Sequence, residues 1–329
     1  MAAPLCCTLV WKKLIAVLDE KDKLPLLVIA GPTAVGKSEL AIRLAQKVHG
    51  EIISCDSAQV YRGLNVGTAK IQPAQMQGVA HHLLDVVDAR ERFTVADYQQ
   101  RARDVILEVA KRGHLPVIVG GTGLWLRALV RGFEFSPEDE HADLRSHITE
   151  IARHHGWESI RRLLRMVDVE SYRKIPSADR RRLARALEVW WSSGRRLARS
   201  PGGSPYRVSY WVLFRPIASI HARIAERAQA MLAEGLQQEV MSLLSQGVER
   251  SAQSLNAIGY RETVDWCYGR VADAELENLI RRHTEQLAKR QMTWFRSEGD
   301  VHWLDLEAYG EVRALSALER AAVQLLEAL

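Results

Sequence analysis

Eight consecutive residues have the types and spacing of a phosphate-binding loop: Gly31, Pro32, Thr33, Ala34, Val35, Gly36, Lys37 and Ser38. They match the pattern G-x-x-x-x-G-K-[ST], in which backbone N–H groups surround phosphate oxygens. The apolar run Leu24–Ala30 precedes the loop, and the helix-period segment Ser38–Val48 follows it. A strand, a glycine loop and a helix N-terminus in this order favour an anion. We therefore predict that Lys37 reaches an outer phosphate and that the Ser38 hydroxyl is a ligand of Mg²⁺.

Two other apolar runs end in polar residues. Glu51–Cys55 is followed by Asp56, and Leu115–Val119 is followed by Gly-Gly-Thr-Gly, which contains Thr122. Helix-period segments separate these runs, which predicts an α/β fold of the P-loop NTPase type, a parallel sheet with helices on both faces. Ligands of such sheets bind at the carboxyl ends of the strands. The phosphate loop, Asp56 and Thr122 should therefore share one active site.

Local signals define several helices and one more strand. Thr94 followed by Asp97 is a capping-box pattern, and it predicts a helix that Gly113 ends. Arg207–Phe214 reads as a strand, followed by a helix that we expect Ser219 to cap. On that helix two arginines four residues apart share a polar face, and we expect Arg223 to be the solvated one.

The chain divides by composition into three parts. Residues 136–203 carry no strand signal and read as an arginine-rich helical insertion into a core formed by 24–135 and 204–329. Between His141 and Ser200 there are fourteen Arg or Lys and only seven Asp or Glu, against a formal net charge of +5 for the whole chain. A segment this basic suits a nucleic acid partner. Residues 1–23 are an N-terminal extension, to which we assign no function.

Composition and cysteine spacing narrow the classes of protein to which the chain can belong. The chain has 329 residues, 47% hydrophobic and 26% charged, which is typical of a globular protein. Its four cysteines show no C-x-x-C spacing, so we expect neither a zinc site nor a disulfide framework, and a reducing compartment, the cytoplasm, is the default. No apolar run is long enough to span a membrane. We expect a monomer.

The residues around the phosphate loop favour group transfer over nucleotide hydrolysis. Hydrolases with this loop usually carry an aspartate at the end of a later strand to organise Mg²⁺ and water. Leu115–Val119 has no such carboxylate, and the acid stands instead after the second strand, as Asp56. Two reactions remain open on residue types alone: a kinase, in which phosphate moves, and a transferase, in which diphosphate leaves.

Motifs spread along the chain then resemble one family, the tRNA dimethylallyltransferases, also called tRNA isopentenyltransferases. The resemblance extends over nearly everything after the first twenty-odd residues. Its motifs are GPTAVGKS (31–38), ISCDSAQVYRGLNVGTAK (53–70), HHLLDVVD (81–88), FTVADY (93–98), PVIVGGTGLWLRAL (116–129), RRLARALEV (181–189), RIAERAQAML (223–232), NAIGYRE (256–262) and QLAKRQMTWFR (286–296). Within the family, the chain resembles the compact bacterial members. Eukaryotic members often carry a C-terminal zinc finger, and the Cys/His pairs of such a finger do not occur in this sequence.

The resemblance implies transfer of a dimethylallyl group from dimethylallyl diphosphate to N6 of adenine 37, in tRNAs with adenine at 36 and 37. It implies that Asp56 is the general base, that Thr122 and Arg227 contact the diphosphate, and that Mg²⁺ is the cofactor. Residues that line the adenine pocket or contact tRNA would be Asp56, Ser57, Ala58, Gln59, Arg145, Arg181, Arg182, Leu183, Ala184, Arg185, Asn256, Ala257, Ile258, Gly259, Tyr260, Arg261, Lys289 and Arg290. Trp125 and Trp294 read as packing residues.

Three alternatives stay open at this point, one of which is an RNA-binding protein whose phosphate loop only senses a nucleotide. Adenylate isopentenyltransferases share part of the phosphate-binding half and act on free nucleotides. A small-molecule kinase on the same loop is the alternative from another reaction class.

Overall fold

The computed structural model describes residues 23–133, 135, 142–194 and 203–327. Of the predicted extension at residues 1–23, only Lys23 lies within these ranges. The chain forms two compact units: Arg131–Ser204 is one, and the segments before and after it form the other. The predicted insertion, 136–203, lies inside the first of these units.

The larger unit is built on a parallel sheet. Its strands, in the order of the chain, are β1 (Leu24–Ala30), β2 (Gly50–Cys55), β3 (His81–His82), β4 (Leu115–Gly120), β5 (Tyr206–Phe214) and β6 (His302–Asp305). Their order across the sheet is β3-β2-β4-β1-β5-β6, and every pair is parallel. β1 pairs with β4 on one side and β5 on the other, so the strand that leads into the phosphate loop is at the centre of the sheet.

Helices cover both faces of this sheet. They are α1 (Lys37–Val48), α2 (Val95–Lys111), α3 (Gly123–Val130), α8 (Ile217–Ala233), α9 (Leu236–Ser245), α10 (Tyr260–Cys267), α11 (Asp273–Arg296) and α12 (Leu306–Glu327). Successive side chains of a strand point to opposite faces. Along β1, Leu26 and Val28 join one apolar cluster while Leu27 and Ile29 join the other, and all four side chains are fully buried. The predicted two-sided α/β fold is confirmed.

Most of the helices and strands predicted from the sequence are present in the structure. One predicted cap is wrong, and two short strands were not predicted. The capping box at Thr94 and Asp97 is confirmed, with both reciprocal hydrogen bonds formed. The predicted cap at Ser219 is wrong: α8 begins at Ile217 with Pro216 as its N-cap, three residues earlier than predicted. Proline suits a helix start because it has no backbone N–H that would be left unpaired there. The two-residue β3 and four-residue β6 were not predicted, because neither is long enough to show an alternating pattern.

The smaller unit is helical where the structure describes it. Its helices are α4 (Ala142–His155), α5 (Trp157–Val167), α6 (Val169–Lys174) and α7 (Arg180–Ser193). Ile148, Ile160 and Leu187 are fully buried in its own apolar core. In neither unit is any described helix long and apolar enough to cross a membrane.

Candidate active site

The phosphate loop joins the carboxyl end of β1 to the N-terminus of α1. Gly31 has a positive φ of 151°, and a Cβ there would lie 2.5 Å from the carbonyl oxygen of Leu213 on β5, so the loop can leave the sheet only through glycine. Gly36, at φ 102°, is the N-cap of α1. No N–H group from Ala34 to Ser38 donates to a protein acceptor within the described residues, so this row of donors is available to an anion.

Lys37 is held over this loop. Its Nζ donates to the carbonyl oxygens of Gly31, at 2.9 Å, and Pro32, at 2.7 Å. Burial lowers the pKa of Lys37 from 10.5 to about 8; the Asp56 carboxylate opposes that shift, and the Arg227 guanidinium adds to it. The lysine is therefore a cation whose charge is poorly solvated, which favours an arriving phosphate.

Asp56 lies at the carboxyl end of β2 with its two oxygens in different environments. Oδ1 accepts hydrogen bonds from the N–H groups of Ala58, at 2.9 Å, and Gln59, at 3.3 Å. In the part of the chain that the structure describes, Oδ2 has no hydrogen-bond donor. One oxygen thus fixes the turn, and the other is left for a ligand.

Thr122 and Gln59 contact the same strand ends. Thr122 Oγ1 accepts from the N–H of Ser57 at 3.2 Å, so its hydroxyl joins the end of β4 to the turn that follows Asp56. Gln59 donates from Nε2 to the carbonyl of Thr68, and its Oε1 accepts from the Ser54 hydroxyl. One N–H and one lone pair of this amide remain for a base.

Arg227 reaches the loop from α8. Its Nη1 donates to Thr33 Oγ1 at 3.1 Å, and its Nη2 donates to the carbonyl of Thr68 at 2.9 Å. Burial lowers the pKa of Arg227, and the Asp56 carboxylate opposes that shift. The Nε atom is buried and has no partner among the described residues. A buried cationic donor without an acceptor is suited to an anionic ligand.

Two more arginines hold the loop, and the sequence did not indicate either role. Arg223 Nε donates to the carbonyl of Ala34 at 2.7 Å, and Arg215 Nε donates to that of Val35 at 3.0 Å. Arg223 is exposed, as predicted, and it also lines the cavity and contacts the loop, which was not predicted. For Arg223, the available signal was its spacing of four residues from Arg227, which puts both side chains on one face of α8.

A second carboxylate organises the segment that carries Thr68. Glu239 on α9 accepts hydrogen bonds from the N–H groups of Asn65 and Val66, and from the hydroxyl of Tyr260 at 2.5 Å. Burial raises the pKa of Tyr260, and Glu239 raises it further, so the phenol stays a donor. Tyr260 is fully buried and acts on this segment from inside, which corrects its prediction as a tRNA contact.

These elements enclose one large cavity of about 1070 Å³. Predicted residues that line it are Thr33, Ala34, Gly36, Lys37, Ser38, Asp56, Ser57, Ala58, Gln59, Thr122, Arg227, Asn256, Ala257, Ile258, Arg261 and Arg290. Three residues of the loop are buried and do not line the cavity: Gly31, Pro32 and Val35. Gly259 is also buried, and its N–H donates to Glu262, whereas Lys289 is exposed outside the lining. Trp125 is buried as predicted, whereas Trp294 is half-buried and forms part of the cavity wall.

The predicted tRNA contacts in the smaller unit differ in exposure. Arg181 and Arg182 are exposed on α7. Leu183 and Ala184 are buried in the unit's core, so their prediction as contacts is wrong: the helix turns these side chains inward. Arg145 and Arg185 both donate to the fully buried Glu188, at distances of 2.6 to 3.0 Å. The count of arginines in the sequence therefore combined two kinds of cation: those exposed on the surface and those that pair with a buried carboxylate.

The cavity offers few ligands for a metal. The Ser38 hydroxyl is exposed in its wall, and the described residues contain no group of three or more His, Cys, Asp or Glu side chains that could hold a metal ion. Mg²⁺ is commonly held by one or two protein oxygens together with substrate phosphates and water. The residues present fit that mode of binding, in which the Ser38 hydroxyl would join phosphate oxygens and water around the ion.

Taken together, the sheet, the loop and the cavity define a phosphate-loop α/β protein in which backbone N–H donors, Lys37, Arg227 and the Asp56 carboxylate line one cavity. Residues 59–298 match the family model described as "IPP transferase". The tRNA dimethylallyltransferase of Moorella thermoacetica is 41% identical over 87% of this chain and 91% of its own length, and that of Geobacillus thermodenitrificans is 40% identical over 85% and 90%. The chain therefore belongs to the IPP transferase family.

Solved structures agree with this assignment. The tRNA isopentenylpyrophosphate transferase of Bacillus halodurans matches with a TM-score of 0.71 and 36% identity, over 93% of this chain and 97% of that one. A eukaryotic dimethylallyltransferase acting on tRNA matches with a TM-score of 0.74 and 27% identity, over 88% of this chain and 77% of that one.

Proposed function

We propose that this protein transfers a dimethylallyl group from dimethylallyl diphosphate to N6 of adenine 37 in tRNA. The observation that carries the proposal is the placement of the anion cradle and the Asp56 carboxylate in the wall of one cavity, in a chain of the IPP transferase family. The bond from C1 of the prenyl group to the diphosphate oxygen breaks, the bond from C1 to N6 forms, and N6 loses a proton.

The cradle stabilises the leaving group. The free N–H row from Ala34 to Ser38, Lys37 and the buried Nε of Arg227 are donors where negative charge increases as the diphosphate departs. Mg²⁺, held by the Ser38 hydroxyl and the diphosphate itself, would supply further charge neutralisation when bound.

Asp56 receives the proton. Oδ1 is committed to the turn, and Oδ2 has no donor among the described residues, so Oδ2 is the basic atom that faces the substrate. The adenine must leave its stack to reach this atom, as bases do in enzymes that modify them. The remaining N–H and lone pair of Gln59 would then read its edge.

The experiment is mass spectrometry of tRNA nucleosides after incubation with dimethylallyl diphosphate, with AMP as competing acceptor. N6-dimethylallyladenosine in tRNAs with adenine at 36 and 37, and no modified AMP, supports the proposal. Modified AMP with unmodified tRNA would assign the chain to free nucleotides, and phosphorylated product with ATP consumption would make it a kinase.

A further inference from the structure

The side-chain amide of Gln291 joins two loops of the cavity. Its Oε1 accepts from the backbone N–H of Thr33 at 2.9 Å, and its Nε2 donates to the carbonyl of Gly121 at 3.0 Å. Gln291 is on α11, half-buried, and lines the cavity. One side chain therefore connects the phosphate loop to the turn that follows β4.

The partners fix which way the amide faces. A backbone N–H only donates and a carbonyl only accepts, so Oε1 must face Thr33 and Nε2 must face Gly121. A Cβ at Gly121 would lie 2.4 Å from Nε2. Gly121 thus admits the amide at hydrogen-bonding distance, and a side chain there would displace it.

Both partners of Gln291 lead directly to predicted catalytic groups. Thr33 Oγ1 accepts from Arg227, so the loop residue that Gln291 holds also holds that arginine. On the other side, Gly121 precedes Thr122, whose hydroxyl accepts from the N–H of Ser57, next to Asp56. An unbroken series of hydrogen bonds and peptide bonds thus runs from Arg227 through Gln291 to Asp56.

We propose that Gln291 is a positioning residue that sets the distance between the diphosphate cradle and Asp56. The proposal rests on the proposed function. The distance matters because, in that reaction, the cradle binds the leaving diphosphate while Asp56 accepts the proton from the adenine N6. Glutamine suits the position because it offers a donor and an acceptor on a planar group. A displacement of about 1 Å between reacting groups lowers a rate by about 100-fold.

The first test is Gln291→Met, which keeps the side-chain length and removes both hydrogen bonds. We expect kcat to fall about 10- to 100-fold, because the reacting groups lose their alignment. The KM for dimethylallyl diphosphate should rise, and the dissociation constant for tRNA should stay unchanged. Gln229→Met is the matched control, since Gln229 is exposed on α8 outside the cavity lining, and it should retain wild-type kinetics.

A second test uses the close contact with Gly121. Gly121→Ala alone should impair transfer because its Cβ displaces the amide. In the Gly121→Ala background, Gln291→Ala should cost little more, since the contact is already lost. Losses that multiply as for independent sites would overturn the proposal.

The outcomes separate this proposal from the proposed function. Wild-type kinetics in Gln291→Met, or a fall in kcat that is matched by a loss of tRNA binding, would overturn the role of Gln291. If the wild-type protein transfers nothing, the proposed function fails, and calorimetry with inorganic pyrophosphate still decides the role of Gln291. Gln291→Met should weaken pyrophosphate binding about tenfold, and unchanged binding would overturn the proposal.

Discussion

Cations in the two compact units are used in different ways. Around the cavity, Lys37 and Arg227 are anchored by hydrogen bonds to the phosphate loop and Thr68, and burial lowers the pKa of both. In the helical unit, Arg181 and Arg182 are exposed on α7. Anchored cations suit a small ligand of fixed geometry, whereas exposed ones suit a polyanion held by its phosphates.

The helical unit itself contains both kinds of cation. Arg145 and Arg185 bind the fully buried carboxylate of Glu188, while Lys174 forms an exposed pair with Glu170. A high count of arginines in a sequence therefore indicates a basic surface only when the arginines that pair with buried carboxylates are left out of the count. Three substitutions and one pH series test this division between anchored and exposed cations.

Asp56→Asn should abolish most transfer while both substrates still bind. Asparagine keeps the acceptor that fixes the turn at Ala58 but cannot take a proton, and a positioned base contributes about 10²- to 10⁴-fold in rate. Single-turnover transfer measures the effect. Asp88→Asn is the matched control, because Asp88 makes a similar turn contact with Arg90 outside the cavity lining. Substantial turnover in Asp56→Asn would exclude Asp56 as the base.

Glu188→Ala should destabilise the helical unit. The change leaves Arg145 and Arg185 without the buried carboxylate they share, and breaking such a pair costs about 3 kcal/mol. Urea unfolding followed by circular dichroism measures it. Glu170→Ala, which removes an exposed partner of Lys174, should change stability by less than about 0.5 kcal/mol. Equal effects of the two variants would contradict the division between buried and exposed pairs.

Diphosphate affinity should fall as pH rises above about 8. The pKa of Lys37 is lowered to about 8, so in the free protein the ammonium is charged below that pH and increasingly neutral above it. Each pH unit beyond the pKa should then weaken binding by up to about tenfold. Calorimetry with pyrophosphate between pH 7 and 9.5 measures the effect. Lys37→Met should bind more weakly at every pH, without this dependence, and a flat profile in the wild type would contradict the assignment.

Arg182→Ala should have the smallest effect. An exposed arginine that contacts one tRNA phosphate contributes to affinity and to its salt dependence, and its loss should reduce the slope of log affinity against log salt by about one unit. Filter binding at several salt concentrations measures the slope. Arg43→Ala on α1, which removes a half-buried cation paired with Glu311, should leave the slope unchanged. An unaltered slope in Arg182→Ala would mean that Arg182 contacts no phosphate of the bound tRNA.

Sequence reasoning worked best where one local pattern decides the structure. The glycines and Lys37 of the phosphate loop, the capping box at Thr94 and the buried strand Leu24–Ala30 each follow from short-range chemistry, and the structure contains all three features. The role of Gln291 could not be predicted, because its partners Thr33 and Gly121 lie 258 and 170 residues away in the chain. Burial of Tyr260 and Leu183 depends on packing in the same long-range way.

The proposed reaction requires one arrangement: a diphosphate in the cradle, with the Asp56 carboxylate open to the same cavity. A crystal structure with a non-cleavable dimethylallyl diphosphate analogue tests this most directly. We expect diphosphate oxygens within hydrogen-bonding distance of the Gly36–Ser38 N–H groups and of the Arg227 guanidinium, with Oδ2 of Asp56 open to the space in which the adenine N6 would approach the prenyl C1. A diphosphate bound away from those N–H groups, or an Asp56 carboxylate turned out of the cavity, would contradict it.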